Sequence, residues 1–270
     1  METSPGAVVH RTLRSRRMVG GGLSVLVLGL GIAWCIVSRA DIRSEEAMTD
    51  GARHVSLKIG GSDGATLSLV CFHEDKFRMM VVGNAGPGKN RRVAGQAEDH
   101  KAIAACNGGY FIVGTLAPLG LEIAQGVATG ALGSSGDSGA LFGVRNDQPF
   151  IEPEKGFHLT PDMTSLVQCG PLYVDGGWHF HVTGEISNNR TFVMTDGQGQ
   201  WAIGMAEHMS LNQLADLLAR PGLLKGFHVQ RAMNLDGGPS TGFWWRDKGG
   251  GAHEKHESWR VRNVVLVVPR

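Results

Sequence analysis

Basic side chains are in no surplus once the first forty residues are set aside. Those forty hold five Arg and one Glu, which leaves 21 basic against 24 acidic side chains in the rest. A nucleic-acid-binding face needs a clustered positive field, so that class of function drops out. No Gly-x-Ser-x-Gly elbow leads from a strand into a helix and no P-loop is present, which argues against a serine hydrolase and an NTPase. No fixed-period repeat and no second domain boundary can be found. Cysteine is scarce: of four, Cys35 falls in an apolar run, leaving Cys71, Cys106 and Cys169. Cys106 and Cys169 each sit beside a glycine-rich turn and are the candidate pair in an oxidising compartment, with two buried free thiols as the alternative.

Long uncharged stretches are also absent, with one exception. Residues 18–37, MVGGGLSVLVLGLGIAWCIV, are uncharged over about the length that crosses a bilayer. Arg11, Arg14, Arg16 and Arg17 precede them, so the positive-inside rule predicts a basic cytoplasmic N-terminus over 1–17 and export of everything that follows. The run reads as a transmembrane signal-anchor, giving an inner-membrane protein with its domain on the periplasmic or extracellular side. Cleavage near Ala40 would instead release a secreted protein. A polar linker is expected over 38–54 and one domain over 55–270.

Glycine is what the chain has in plenty. Forty glycines are too many for a helical bundle and follow no collagen-like period. VSLKI, ATLSLVCFHE and FRMMVVGNAG alternate or run apolar over strand lengths. Hairpins are expected in LGLEIAQGVATGAL, in GALFGVRNDQPFIE with Asn146 and Asp147 at the turn, and in RTFVMTDGQGQWAIGMAE. A last strand is expected in VRNVVLVVP. One short helix is expected over QAEDHKAIA. A clearer one starts at Ser210, with Gln213 at the capping-box position and Leu211, Leu214, Leu217 and Leu218 on one side. The fold class read from this is α+β: a single glycine-rich domain with a mixed sheet and a few helices, preceded by one transmembrane helix.

Four stretches could carry chemistry: CNGGYF from Cys106, CGPLYVDGG from Cys169, NNRTFVM from Asn188 and NLDGGPST from Asn234. Paired glycines let backbone amides approach an anion, or they simply close a turn. Arg190 could fork two oxygens of a phosphate, or sit solvated at a strand start. Ser240 and Thr241 could donate to the same anion or cap a turn. Asp236 ends an apolar segment before small and rigid residues, which suits a fixed acid–base carboxyl and equally an Asx-turn. His179 and His181 share a strand face, but no third zinc ligand is evident among His208, His228, His253 and His256.

Taken in order, these stretches resemble the phosphodiester glycosidase family, from about Ala102 to Val268. The likeness rests on NGGYF (107–111), PLGLEI (118–123), Gly170-Pro171, Arg190-Thr191 and NLDGGPST (234–241). Pro239 stands where many relatives have a third glycine. The resemblance implies cleavage of the bond between a sugar's anomeric carbon and a phosphodiester oxygen, without an organic cofactor. It implies that Arg190, the Gly108 and Gly109 amides, Ser240 and Thr241 hold the phosphate. Asp236 and Asn107 would position or activate the sugar or water, and Tyr110, Thr191, Asn234, Gly237 and Gly238 would complete the substrate-binding set. A second carboxylate, if used, would be Glu122, Asp175, Asp196 or Glu207. The partner implied is a cell-envelope or extracellular glycan. The alternative functions are a non-catalytic binder of such glycans and a metal-dependent hydrolase. Trp244 and Trp245 could stack on sugar or belong to the core.

Overall fold

Alternation of apolar and polar residues dominates this chain, and backbone groups so placed find partners most economically in neighbouring strands. The computed structural model describes residues 41–60, 64–84, 92–133, 139–180 and 182–270. An eight-stranded sheet carries, in spatial order, β1 (Asp41–Ala47), β2 (Arg53–Ile59), β3 (Ala65–His73), β14 (Gln200–Met209), β13 (Asn188–Thr195), β15 (Arg231–Asn234), β11 (Leu172–Asp175) and β12 (Trp178–His179). A second sheet orders β7 (Val127–Thr129), β6 (Glu122–Ala124), β10 (Met163–Cys169), β8 (Ala140–Arg145) and β9 (Gln148–Pro153). A third orders β17 (Ala252–Lys255), β16 (Phe243–Arg246), β5 (Ala104–Asn107), β18 (Asn263–Pro269) and β4 (Phe77–Gly83).

The inner face of the large sheet, with Val70, Phe72, Val193, Ile203 and Met233, packs against residues of the other two, such as Phe142, Val167, Val81 and Val265. Its outer face buries Leu67, Leu69, Phe192 and Met194 with α2 (Leu211–Leu218). α1 (Val93–Asp99) covers the far side of the third sheet through Val93 and Ala97, against Trp244 and Leu266.

The α+β expectation is corrected: the described residues are mostly strand, with only two α-helices of seven and eight residues. Nor is the sheet mixed, because every described ladder is antiparallel. Short glycine-bearing connections explain this, since they permit hairpins, whereas parallel pairing needs long crossovers. The transmembrane helix expected over 18–37 lies outside the described residues. Among those described, no helix is long and apolar enough to cross a membrane.

Local expectations fared unevenly. The α2 capping box forms as read, Ser210 accepting from the Gln213 N–H and Gln213 from that of Ser210. The hairpin turn at Asn146 and Asp147 has φ of 50° and 61°, as its residue types favour. The helix expected over QAEDHKAIA instead begins at Val93 and stops before Ala104, because the alanine run is drawn into β5 between β16 and β18. Residues 41–47, read as linker, add an edge strand to the large sheet.

Candidate active site

All three sheets meet where β5, β10 and β15 end and β13, β16 and β18 begin. Asn107, the last residue of β5, is fully buried and fastens two of them. Its Oδ1 accepts from the Thr191 hydroxyl (2.8 Å) and the Gly242 N–H (3.1 Å), and its Nδ2 donates to the Asp236 carbonyl (2.7 Å). The Asp236 N–H donates to the Gly108 carbonyl (2.9 Å), and the Leu235 N–H to that of Thr191 (2.8 Å). The backbone that carries the Asp236 carboxyl is thus held from both sides.

Asn234 ties the first sheet to the second. Its Nδ2 donates to the Tyr110 hydroxyl and to the Gly170 carbonyl, both at 2.9 Å, and its Oδ1 accepts from the Tyr173 hydroxyl at 2.7 Å. Tyr110 in turn donates to the Gly170 carbonyl at 2.6 Å. Burial pushes both phenols well above their ordinary range, so they stay protonated donors.

The Asp236 carboxyl is half-buried. It accepts from the Gly237 N–H at 2.9 Å and from the Ser240 hydroxyl, and burial raises it above its ordinary 3.8, against the opposing pull of those two hydrogen bonds. The four other carboxylates proposed from sequence are engaged elsewhere. Glu122 is buried in a fork with Arg262 (2.7–3.1 Å) and accepts from Asn263. Asp175 pairs with Arg231 (2.9 Å) and Glu207 with Lys255 (2.6 Å), while Asp196 closes its own turn through Gln198 and Gln200. Asp175 and Asp196 also lie at the opposite end of the ladder from Asp236, beside the Thr195–Arg231 pair.

Three sequence expectations look different in place. Gly108 and Gly109 do not offer an anion nest, because their N–H groups donate to the carbonyl (3.0 Å) and Oδ1 (2.9 Å) of Asn263. A Cβ on Gly108 would lie 1.8 Å from that Oδ1, so the glycine serves close approach of Asn263. Arg190 spends Nε on the Met209 carbonyl (3.0 Å) and Nη2 on that of Ile186 (2.6 Å), leaving Nη1 without a partner among the described residues. Cys106 and Cys169 are free and buried, as is Cys71. Asn107, Thr191 and Asn234 are buried, and their side chains make the bonds given above within the protein.

Gly237 and Gly238 turn tightly against β13: a Cβ on Gly237 would meet the Asn189 carbonyl at 2.7 Å, and Gly238 has φ of 60°. Ser240 and Thr241 follow in the 3-10 turn Gly238–Ser240 and its cap. The Thr241 Oγ is buried without a partner among the described residues. Trp244 is core, whereas Trp245 is partly exposed and stacked on His54 at 4.2 Å. His179 pairs with Asp216, and His181 lies outside the described residues. Among the described residues no three His, Cys, Asp or Glu side chains gather as a metal site. Tyr173 and Asn263 went unnoticed in the sequence; the available signal was a polar group inside an apolar strand.

The fold is similar to that of the zebrafish N-acetylglucosamine-1-phosphodiester alpha-N-acetylglucosaminidase catalytic domain auto-inhibited by its pro-peptide. That match has 21% identity and a TM-score of 0.57, and covers 86% of this chain and 83% of that one. A hypothetical protein from Synechocystis is similar at 15% identity and TM-score 0.57, over 86% of this chain and 65% of that one. No curated protein sequence matches. Residues 100–268 match the phosphodiester glycosidase family, a span that holds every residue of the three-sheet junction around Asp236, and the chain belongs to that family of hydrolases.

Proposed function

We propose that the chain cleaves the bond between an anomeric carbon and a phosphodiester oxygen in a glycan outside the cytoplasm, with Asp236 as its proton-transferring carboxyl. One observation carries the assignment: a half-buried carboxyl, raised by burial, fixed at the junction of three sheets and clamped by Gly237 and Ser240. A raised carboxyl holds its proton closer to neutral pH and can give it to a leaving oxygen or take one from water. On this reading the phosphate meets Arg190 through Nη1, while Ser240, whose hydroxyl donates to Asp236, and the buried Thr241 support the loop from within. Asn107, Thr191, Asn234 and Tyr110 act by holding these groups still. Family membership supports the phosphodiester-linked glycan as substrate class. Export rests on the basic N-terminus and the apolar run over 18–37.

The test is hydrolysis of a panel of chromogenic sugar-1-phosphodiesters by the wild type and by Asp236→Asn, with folding checked by circular dichroism. Turnover that falls in the folded variant supports the assignment. Binding of a sugar phosphodiester without any turnover would instead make the chain a glycan-binding protein. Cell fractionation checks export separately.

A further inference from the structure

The inner face of the eight-stranded sheet changes character along its strands. In β14 the inner positions read Trp201, Ile203, Met205 and Glu207, and in β3 they read Phe72, Val70, Ser68 and Thr66. The face passes from apolar core to hydroxyls and a carboxylate. There the β16–β17 hairpin stands opposite it, bringing Trp245, Glu254 and Lys255 to a cleft of about 470 Å³. Small-molecule sites occupy roughly 300–1,000 Å³.

Its chemistry fits an uncharged polyhydroxy ligand. Ser44, Ser56, Thr66 and Ser68 bring hydroxyls that both donate and accept. The one cation of the lining is already engaged, Lys255 lying 2.6 Å from Glu207, and Glu254 adds a second carboxylate. Burial lowers His54 to about 4, so it is neutral near pH 7. A phosphate would find no spare cation among the lining residues. Two nitrogens of the lining rings, His54 Nδ1 and Trp245 Nε1, have no hydrogen-bond partner among the described residues.

The cleft shares a sheet row with the candidate active site. Ser44, Ser56, Ser68, Met205 and Thr191 are successive cross-strand partners, and the Thr191 hydroxyl holds Asn107, which holds Asp236. At about 4.8 Å per strand, Ser68 lies roughly 10 Å from Thr191. We propose that this cleft is a second carbohydrate subsite, holding an uncharged sugar residue of the same chain whose phosphodiester is cleaved at Asp236, so that the substrate is an oligomer or polymer. The placing of the scissile bond rests on the glycosidase reading; the cleft itself does not.

The experiment pairs binding with turnover on the full chain. Gluco-, galacto-, manno- and N-acetylglucosamine-based oligosaccharides are titrated while the Trp245 indole N–H signal, assigned with Trp245→Phe, is followed by NMR. The expected result is a saturable shift for one of them, which Ser56→Tyr abolishes by filling the cleft. In turnover, Ser56→Tyr is expected to leave kcat/KM unchanged on a short sugar-1-phosphodiester and to lower it about tenfold on one extended by that oligosaccharide, the scale at which pocket contacts discriminate. No shift with any oligosaccharide, or an equal effect of Ser56→Tyr on short and long substrates, overturns the proposal. A shift without turnover on either substrate overturns the glycosidase reading, and the shared chain with it, while glycan binding in the cleft stands.

Discussion

Asn107 donates to the Asp236 carbonyl, and substitution tests the two residues separately. An acid raised by burial binds its proton more tightly in the folded than in the unfolded state, so its contribution to stability falls as pH climbs from 3.8 through the raised value. Asp236→Asn removes that penalty and keeps groups able to accept from Gly237 and Ser240. The variant's melting temperature, relative to wild type, is expected to rise with pH across that window, while kcat/KM drops about a hundred- to ten-thousand-fold. Scanning calorimetry over a pH series beside the hydrolysis assay checks both. Asn107→Ala is expected to lower stability, orphaning the Thr191 hydroxyl and the Gly242 N–H at about 1–3 kcal/mol each, and to lower kcat/KM as the Asp236 backbone loses its anchor. Denaturant unfolding would read that loss. Both residues were legible in the sequence as a pair of site candidates. Their division of labour was not, because only the fold shows that every polar atom of Asn107 is spent inside the protein.

At the level of elements, the sequence spoke clearly where a signal was local. The Ser210 capping box, the Asn146-Asp147 turn and the strand alternation all depend on residues within a few positions of one another, and all appear as read. Ser210→Ala is expected to cost about 1 kcal/mol, visible as a lower melting temperature with unchanged kcat/KM, since α2 lies on the outer face of the large sheet. Signals that depend on distant partners were misread. Gln96 to Ala104 has helical composition, yet the alanines are the small residues that β5 needs between two neighbours. The Gly108-Gly109 pair looked like an anion nest because nothing nearby announces Asn263, 154 positions after Gly109 and aimed at its amide. A mixed sheet was expected for want of any local mark that tells a parallel pair from an antiparallel one.

Across the whole molecule, three thiols test how tightly the sheets close. Burial raises Cys71 and Cys169 to about 12, and Cys106 further. None of the three is expected to react with a disulfide reagent at pH 8 until denaturant is added, and mass spectrometry of the labelled peptides would show it. Their silence would show that burial alone keeps these thiols unpaired. The junction at Asn107 has a wider effect. Because one amide side chain joins the Asp236 loop to two sheets, while Asn234 and Glu122 join those to the third, parting the sheets would break the geometry around Asp236. Heat inactivation should therefore trace the same curve as loss of tertiary structure, and amides around Asp236 should exchange their hydrogens only when the entire domain opens.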